Sequence, residues 1–240
     1  MKVHLVTYGD DNYTEIKKSF IQQAEASAFF DEILDFSPLD IDPIFYKDIY
    51  EPLKTYRGGG YWIWKPYFVK KVLDSLPNGD IMFYCDAGSQ INPNGKKRFI
   101  EYLDLLHRAK TGTIDFCLSW REYQFTKQEV FEYFRSSEDI VLSRQLMATV
   151  LPMRKCAHAN MLVNIWYEMA CKNSFLFTDE QRGPQRKEFI DHRHDQSVYS
   201  IIRKTYGANI IGDETYFHDF INHGQNSPIW STQLKPESYK

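Results

Sequence analysis

The chain has 240 residues, 43% hydrophobic and 25% charged, enough length and apolar content for one large packed domain or two small ones. Its net charge of -3 leaves no basic footprint, which argues against a dedicated nucleic-acid binder. Aromatic residues make up 16%, and most of the 16 Tyr and 17 Phe serve a core, although such rings also stack on sugar faces.

In chain order, "KVHLVTY" (Lys2–Tyr8) reads as a short strand running into the turn residues Gly9, Asp10 and Asp11. A helix follows from about Thr14, with Asn12 and Glu15 at capping-box spacing. "DEILDF" is a second strand, and Pro43 to Thr55 an irregular or helical connection. Phe68, Val69, Val72, Leu73 and Leu76 recur at helical spacing after Pro66, whose missing N–H costs nothing in a first turn. "DIMFYCD" (Asp80–Asp86) is a continuous apolar run, as in a strand buried on both faces. Helix Lys96–Arg108, strand "TIDFCLSW" and a helix opening at Thr126 come next, Thr126 and Glu129 again at capping-box spacing. "LMATVLPM" is one more strand and Ala159–Cys171 one more helix. The hydrophilic stretch Thr178–Asp195 is a surface loop or lid. Helix "RHDQSVYSIIRKTYG", with Gly207 past its end, leads into strand "ANII".

This alternation predicts an α/β chain with a mostly parallel sheet, and one domain over residues 1–240. In such sheets ligands sit beyond the carboxyl ends of the strands, which selects Thr7–Asp11, Asp86–Ser89, Ser119–Glu122 and the region of Ala148. Cys85, Cys117, Cys156 and Cys171 lack CxxC spacing and read as buried free thiols of a reducing compartment. "VHLV" is too short for a signal-peptide core, and no apolar run approaches the roughly 20 residues of a membrane span. The chain is therefore expected in the cytoplasm, with peripheral membrane contact left open.

Four stretches hold more than a core requires. Asp86 ends a buried strand before the small residues Ala87 and Gly88; a carboxylate there can hold a divalent cation, or simply start a turn. "RGGGYWIWKP" sets three glycines between Arg57 and Lys65, at a helix N-terminus. It suits a diphosphate, yet it matches neither a P-loop nor a dinucleotide fingerprint and reads equally as a flexible turn. "HRHDQS" (His192–Ser197) is open to three readings: a zinc site without an HExxH frame, a helix capped by Asp195, or a catalytic Asp195 and Gln196 projecting into a cleft. "HGQNSPIW" (His223–Trp230) lies in a tail, about residues 213–240, that either folds over a ligand or docks as an extension.

Together these segments resemble the nucleotide-sugar-dependent glycosyltransferases of the GT-A fold, notably small stand-alone enzymes of bacterial surface-polysaccharide clusters and large algal viruses. "HLVTYGD", "GYWIWKP", "FYCDAG", "FTKQEVF", "QLMATVLPMRK" and "HRHDQS" match in the family's order over about nine-tenths of the chain. The resemblance implies a Rossmann-like GT-A domain, a central mixed and mostly parallel sheet flanked by helices, and a nucleotide-sugar donor and glycan acceptor. It implies that Thr7, Tyr8 and Gly9 cup the nucleotide base and that Asp86 holds an Mn²⁺ or Mg²⁺ ion at the diphosphate. It further implies that Asp195 and Gln196 lie by the donor sugar, Gln145 and Ala148 line its pocket, and His223 adds a metal ligand. Arg57 and Lys65 would bring positive charge to the diphosphate, and UDP is the default nucleotide. One departure stands out: Gly88 takes the place of the second aspartate of the usual DxD.

Inversion needs a carboxylate base, with Asp195, Asp191 or Glu122 available; the Asp-Gln pair and the tail tilt the reading towards retention. Trp120, Arg121, Glu122, Thr126 and Lys127 are candidates for the acceptor side. Two other classes compete. A sugar nucleotidyltransferase would carry a glycine-rich, lysine-bearing loop after the first strand, where this chain has "TYGDDNYTE". A non-catalytic carbohydrate-binding module would need the aromatic residues without Asp86 or Asp195.

Overall fold

The computed structural model describes residues 1–236. β1 (Val3–Tyr8) is buried along its whole length and feeds α1 (Thr14–Ser27) and then β2 (Glu32–Phe36). Two short helices, Pro43–Asp48 and Tyr50–Leu53, lead through the glycine run to α2 (Lys65–Ser75), with Pro66 in its first turn, and to β3 (Ile81–Cys85). β4 (Gln90–Ile91), α3 (Lys96–Arg108), β5 (Asp115–Arg121), α4 (Gln128–Phe134), β6 (Arg144–Leu146) and β7 (Val150–Arg154) follow. The chain continues through α5 (Ala157–Lys172), α6 (His194–Tyr206), β8 (Ile210–Gly212) and β9 (Ile229–Trp230).

The main sheet runs β2-β1-β3-β7, with β1 parallel to both neighbours and β7 antiparallel to β3. A second sheet, β6-β5-β8, joins it through a bridge between Thr113 and Met153. Side chains alternate between two cores, as a strand's period of two dictates. Val6, Tyr8, Met82 and Tyr84 face the core made with α2, α5 and α6. Val3, Leu5, Ile81, Phe83 and Cys85 face the one made with α1 and α3. Asp86 continues the even-numbered series of β3, so it follows Tyr84 towards α2 and α6.

Three local expectations are corrected. Asn12 does not cap α1; Asp10 instead accepts the Asn12 N–H at 3.0 Å and opens a 3-10 turn before it. Thr126 does not cap α4. Its hydroxyl donates to Glu122 at 2.8 Å, while Glu129 accepts from the backbone of Arg182 and Gly183 and so fastens the loop after residue 178. "LMATVLPM" is not one strand: β6 and β7 belong to different sheets, and the chain breaks between them at Met147–Thr149. That break exposes the N–H and C=O of Ala148 to side chains instead of a ladder.

The tail is docked over its described length. β9 pairs with β4, Asn92 Nδ2 donates to the carbonyls of Gln225 and Ser227 at 2.8 Å each, and Glu214 takes a bidentate bond from Arg98. Its last four residues, 237–240, lie outside the described residues. Among the described residues all four cysteines are free, Cys85 buried and the others half-buried, and no helix is long and apolar enough to cross a membrane.

Candidate active site

The glycine run is a left-handed turn. Gly58, Gly59 and Gly60 have φ of 59°, 55° and 95°, and Tyr61 and Trp62 continue at 59° and 54°. Only glycine takes this path without a Cβ penalty, so three of them carry it and two larger residues extend it. Gly60 is doubly required, since a Cβ there would lie 2.8 Å from the Leu53 Cα. The turn is locked by Tyr61 N–H to Arg57 O at 2.7 Å and by Trp64 Nε1 to Gly58 O at 3.3 Å. It delivers Lys65 to the start of α2, pointing inwards.

The Lys65 ammonium, only 3% exposed, meets Asp195 Oδ2 at 2.7 Å, Asp86 Oδ1 at 3.1 Å and Ala148 O at 3.2 Å. Burial pulls its pKa down, but Asp195 and Asp86 outweigh that and hold it above the ordinary lysine value. Tyr84, two residues before Asp86 on the same face of β3, donates to Asp86 Oδ1 at 2.8 Å. Both donors thus bind one oxygen of a carboxylate whose side chain is 28% exposed. Asp195 is buried, and burial, partly offset by Lys65, raises its pKa to about 6.

Gln196 is set by a chain of bonds with only one polarity. The Ala148 N–H can only donate, so Gln196 Oε1 accepts it at 3.1 Å and Gln196 Nε2 donates to Gln145 Oε1 at 2.7 Å. Gln145 Nε2 then donates to Thr126 Oγ1 at 3.1 Å and Glu122 Oε2 at 3.2 Å. The structure therefore brings Lys65, Asp86, Gln145, Ala148, Asp195 and Gln196 into one cluster. Asp86 and Gln196 are its partly exposed members, and Lys65, Gln145, Ala148 and Asp195 are buried.

The remaining candidates lie around this cluster or away from it. Thr7, Tyr8 and Gly9 are buried, Tyr8 stacking on Trp64 with ring centroids 3.7 Å apart. Burial, and then Asp10, raises the Tyr8 pKa. Arg57 is held by Asp191 and by Asp179, the latter at 3.3 Å, so it clamps the loop after residue 178 to the glycine turn. Glu122 is fully buried, paired with Lys204 at 2.6 Å and bonded by Ser200, and so is not placed to take a proton from an acceptor. Thr126 and Lys127 are buried as well; Lys127 donates to the carbonyls of Phe175, Thr178 and Glu180. Trp120 and Arg121 are exposed, with the Arg193 guanidinium 5.7 Å from the Trp120 ring.

His192 and His194 are buried, and burial lowers both pKa values, that of His194 to about 4. His192 Nε2 bonds Leu176 O at 2.8 Å and His194 Nδ1 bonds Phe177 O at 2.7 Å, so each ring fixes the loop backbone. His194 has φ of 49°, a strained value for a non-glycine, immediately before Asp195. His223 is exposed at the end of the short helix Phe220–His223. Among the described residues no group of three His, Cys, Asp or Glu converges as a ready metal site.

Sequence reasoning missed Tyr84, Asp179 and the positive φ of His194. Only Tyr84 left a signal, because residues i and i+2 of a strand share a face.

No family model matches the chain, and no curated protein matches it. Among solved structures, a glycosyltransferase involved in glycosylation of the major capsid of PBCV-1 superposes with a TM-score of 0.56 at 8% identity, over 99% of this chain and 98% of that one. The galactosyltransferase LgtC gives a TM-score of 0.49 at 11% identity, covering 97% of this chain and 88% of that one. GlyE of Streptococcus pneumoniae TIGR4 gives 0.49 at 13%, covering 98% and 57%. At these identities the likeness is one of fold: an α/β, GT-A-type architecture with a mixed central sheet.

Proposed function

We propose that the chain is a glycosyltransferase of polysaccharide assembly, moving a sugar from a nucleoside-diphosphate donor, UDP-sugar by default, to a glycan acceptor with retention. The observation carrying this reading is the cluster of Lys65, Asp86, Ala148, Asp195 and Gln196 beyond the carboxyl end of β3. The superposed PBCV-1 structure is itself a glycosyltransferase, which supports sugar transfer as the reaction class.

Breaking the bond between sugar and diphosphate puts negative charge on the leaving group and positive charge on the ring. Asp86 would hold a divalent cation, Mn²⁺ or Mg²⁺, which neutralises the diphosphate when bound; such ions need only one or two carboxylates besides water and phosphate oxygens. Asp195, ionised above about pH 6, sets a negative potential behind the ring. Gln196, its amide oriented by Ala148 and Gln145, would lie by the donor sugar. Retention is favoured because the three carboxylates open to act as an inverting base are each paired: Asp191 with Arg57, Glu122 with Lys204, Asp195 with Lys65. The loop Thr178–Asp191, fastened by Arg57 and Glu129, would cover the donor and keep water out.

The test is calorimetric titration of UDP, GDP, CDP and dTDP with Mn²⁺ present, into wild type and Asp86→Ala. One nucleotide is expected to bind, and the variant to lose about 100-fold or more, the scale of a lost pre-organised charge contact. Binding of no nucleotide at all would overturn the donor reading in favour of a carbohydrate-binding module.

A further inference from the structure

Arg193 precedes the Asp195–Gln196 pair by two residues and takes no part in the donor cluster. Its guanidinium is half-buried, and its partners among the described residues are rings: the Phe125 centroid at 4.0 Å and the Trp120 centroid at 5.7 Å. The other described arginines that are not exposed all reach oxygens. Arg98 and Arg186 bind glutamates, Arg203 binds Asp115, and Arg154 binds the carbonyls of Leu106 and Ala109. Among the described residues no oxygen meets the Arg193 guanidinium. The carboxylate that acts on it, Asp191, is itself held by Arg57 and by the His192 N–H. Burial lowers the Arg193 pKa, yet a guanidinium stays protonated in a protein. A charge kept partly out of water without a counter-ion is costly, and contact with ring faces offsets only part of that cost. The position calls for an anion.

Its place in the fold says which anion. The Arg193 N–H bonds Phe125 O at 3.1 Å and Ser197 Oγ at 3.0 Å, which holds the residue where β5 ends and the short helix Glu122–Phe125 turns. Phe125 O also accepts from Gln145 Nε2 at 3.4 Å, and Gln145 Oε1 accepts from Gln196 Nε2 at 2.7 Å. Arg193 thus borders Gln196 from the β5 side, whereas Lys65 and Asp86 come from α2 and β3. Trp120, 48% exposed, stands edge-on to Phe125 with ring centroids 5.4 Å apart, an open ring beside the charge. An aromatic face accepts the apolar face of a sugar, and a guanidinium takes a carboxylate or phosphate through paired N–H groups. A neutral glycan would use the ring and leave the charge unmet.

Resting on the donor reading above, we infer that the acceptor is an anionic glycan, its sugar ring lying on Trp120 and its carboxylate or phosphate group bound by Arg193. Stacking alone lets a sugar turn on the ring face. A charge-assisted contact at one edge fixes its orientation, and so decides which hydroxyl faces Gln196. Trp120 and Arg193 are then specificity-determining residues, and neither takes part in bond breaking.

The experiment is calorimetric titration of methyl glucoside, galactoside and mannoside, each with its primary hydroxyl, as the matching uronate and as the phosphate ester of that hydroxyl. The proteins are wild type, Arg193→Gln, Arg193→Lys and Trp120→Ala, their folds checked by circular dichroism, and UDP, GDP, CDP and dTDP with Mn²⁺ are titrated into each as well. Wild type is expected to bind an anionic member of one set about 10-fold or more tighter than its neutral member, the scale of a hydrogen bond to a charged group. The uronate and phosphate arms tell which anion it is. Arg193→Gln removes that preference, Arg193→Lys keeps part of it, and Trp120→Ala weakens neutral and anionic members alike, while nucleotide affinity is the same in every protein. Equal binding of neutral and anionic members, or a preference that survives Arg193→Gln, would overturn the inference. Loss of nucleotide affinity in Arg193→Gln would overturn it by moving Arg193 to the donor. Silence from every glycoside beside intact nucleotide binding would overturn it and leave the donor reading standing. An anionic glycoside that binds while every nucleotide is silent would overturn the donor reading, and the acceptor role with it, in favour of a module that binds acidic glycans.

Discussion

Asp195 and Lys65 show how one buried pair fixes both a charge state and a pH response. The carboxyl of Asp195 is raised from 3.8 to about 6, so in that window the folded chain holds a proton that the unfolded chain has released. Stability attributable to this group therefore falls as pH rises from about 4 to 6, and Asp195→Asn should flatten that part of a urea-midpoint profile. Activity runs the opposite way. If the ionised carboxylate supports the sugar cation, turnover rises with pH through about 6, which a pH–rate profile of donor consumption will display. Lys65→Met leaves Asp195 and Asp86 without their common counter-charge. It should cost about 3–5 kcal/mol at neutral pH and clearly less at pH 5, where Asp195 takes up a proton instead. Equal losses at the two pH values, measured by denaturant titration, would show that Lys65 acts by packing rather than by charge. That Asp86, Asp195 and Gln196 hold more than a core requires was legible in short motifs. That Lys65 sits between the two carboxylates was not, because residues 65, 86 and 195 are joined only by tertiary structure.

At the scale of elements, periodicity located the longer strands and helices but not β4, β9 or the short helix Glu138–Leu142, and the capping expectations failed where other partners took the residues. Asn12 with Glu15, and Thr126 with Glu129, have capping-box spacing, but Thr126 and Glu129 are drawn to longer-range partners, Glu122 and the 182–185 loop. Likewise "LMATVLPM" is apolar throughout, so nothing in its pattern marks the sheet change at Met147–Thr149 that frees Ala148 for Gln196 and Lys65. The glycine run was visible as a stretch able to take positive φ, although the extension of that path through Tyr61 and Trp62 was not. Its two demands, positive φ and close approach, separate cleanly by substitution. Gly79 has φ of 92° with nothing within 4 Å of a Cβ, so Gly79→Ala should lose only the left-handed penalty, about 1–2 kcal/mol. Gly60→Ala has the same penalty and also meets the Leu53 backbone at 2.8 Å. It should lose distinctly more, and because the turn aims Lys65 it should also weaken nucleotide binding, as the Gly79 variant should not. Matching losses of stability in the two variants would mean that the Leu53 segment yields freely.

At the scale of the molecule, the α/β class and the order of elements follow from the alternation of strands and helices. The division into a main sheet and a β6-β5-β8 sheet does not, since pairing partners far apart in sequence leave no periodic trace. What holds the second sheet against α6 is a buried ion pair, Arg203 with Asp115 at 2.9 Å, each side chain 1% exposed. Arg203 also donates to the carbonyls of Leu146 and Met147, and Asp115 accepts from Thr113 Oγ1 and the Asn209 N–H. One side chain thus ties α6, which carries Asp195 and Gln196, to β5 and to the end of β6 just before Ala148. Arg203→Met strands the Asp115 carboxylate in the interior and should cost about 3–5 kcal/mol. The double variant Arg203→Met, Asp115→Leu removes the stranded charge and should recover much of that loss, because buried ion pairs contribute less than their desolvation costs. Nucleotide affinity should not recover in parallel. The carbonyl contacts that register α6 against Leu146 and Met147 disappear in both variants, and with them the alignment of Gln196 on the Ala148 N–H. Stability restored without affinity, in paired denaturation and calorimetric measurements, would establish Arg203 as a positioning residue for the site. Joint recovery of both would reduce it to a structural counter-ion for Asp115.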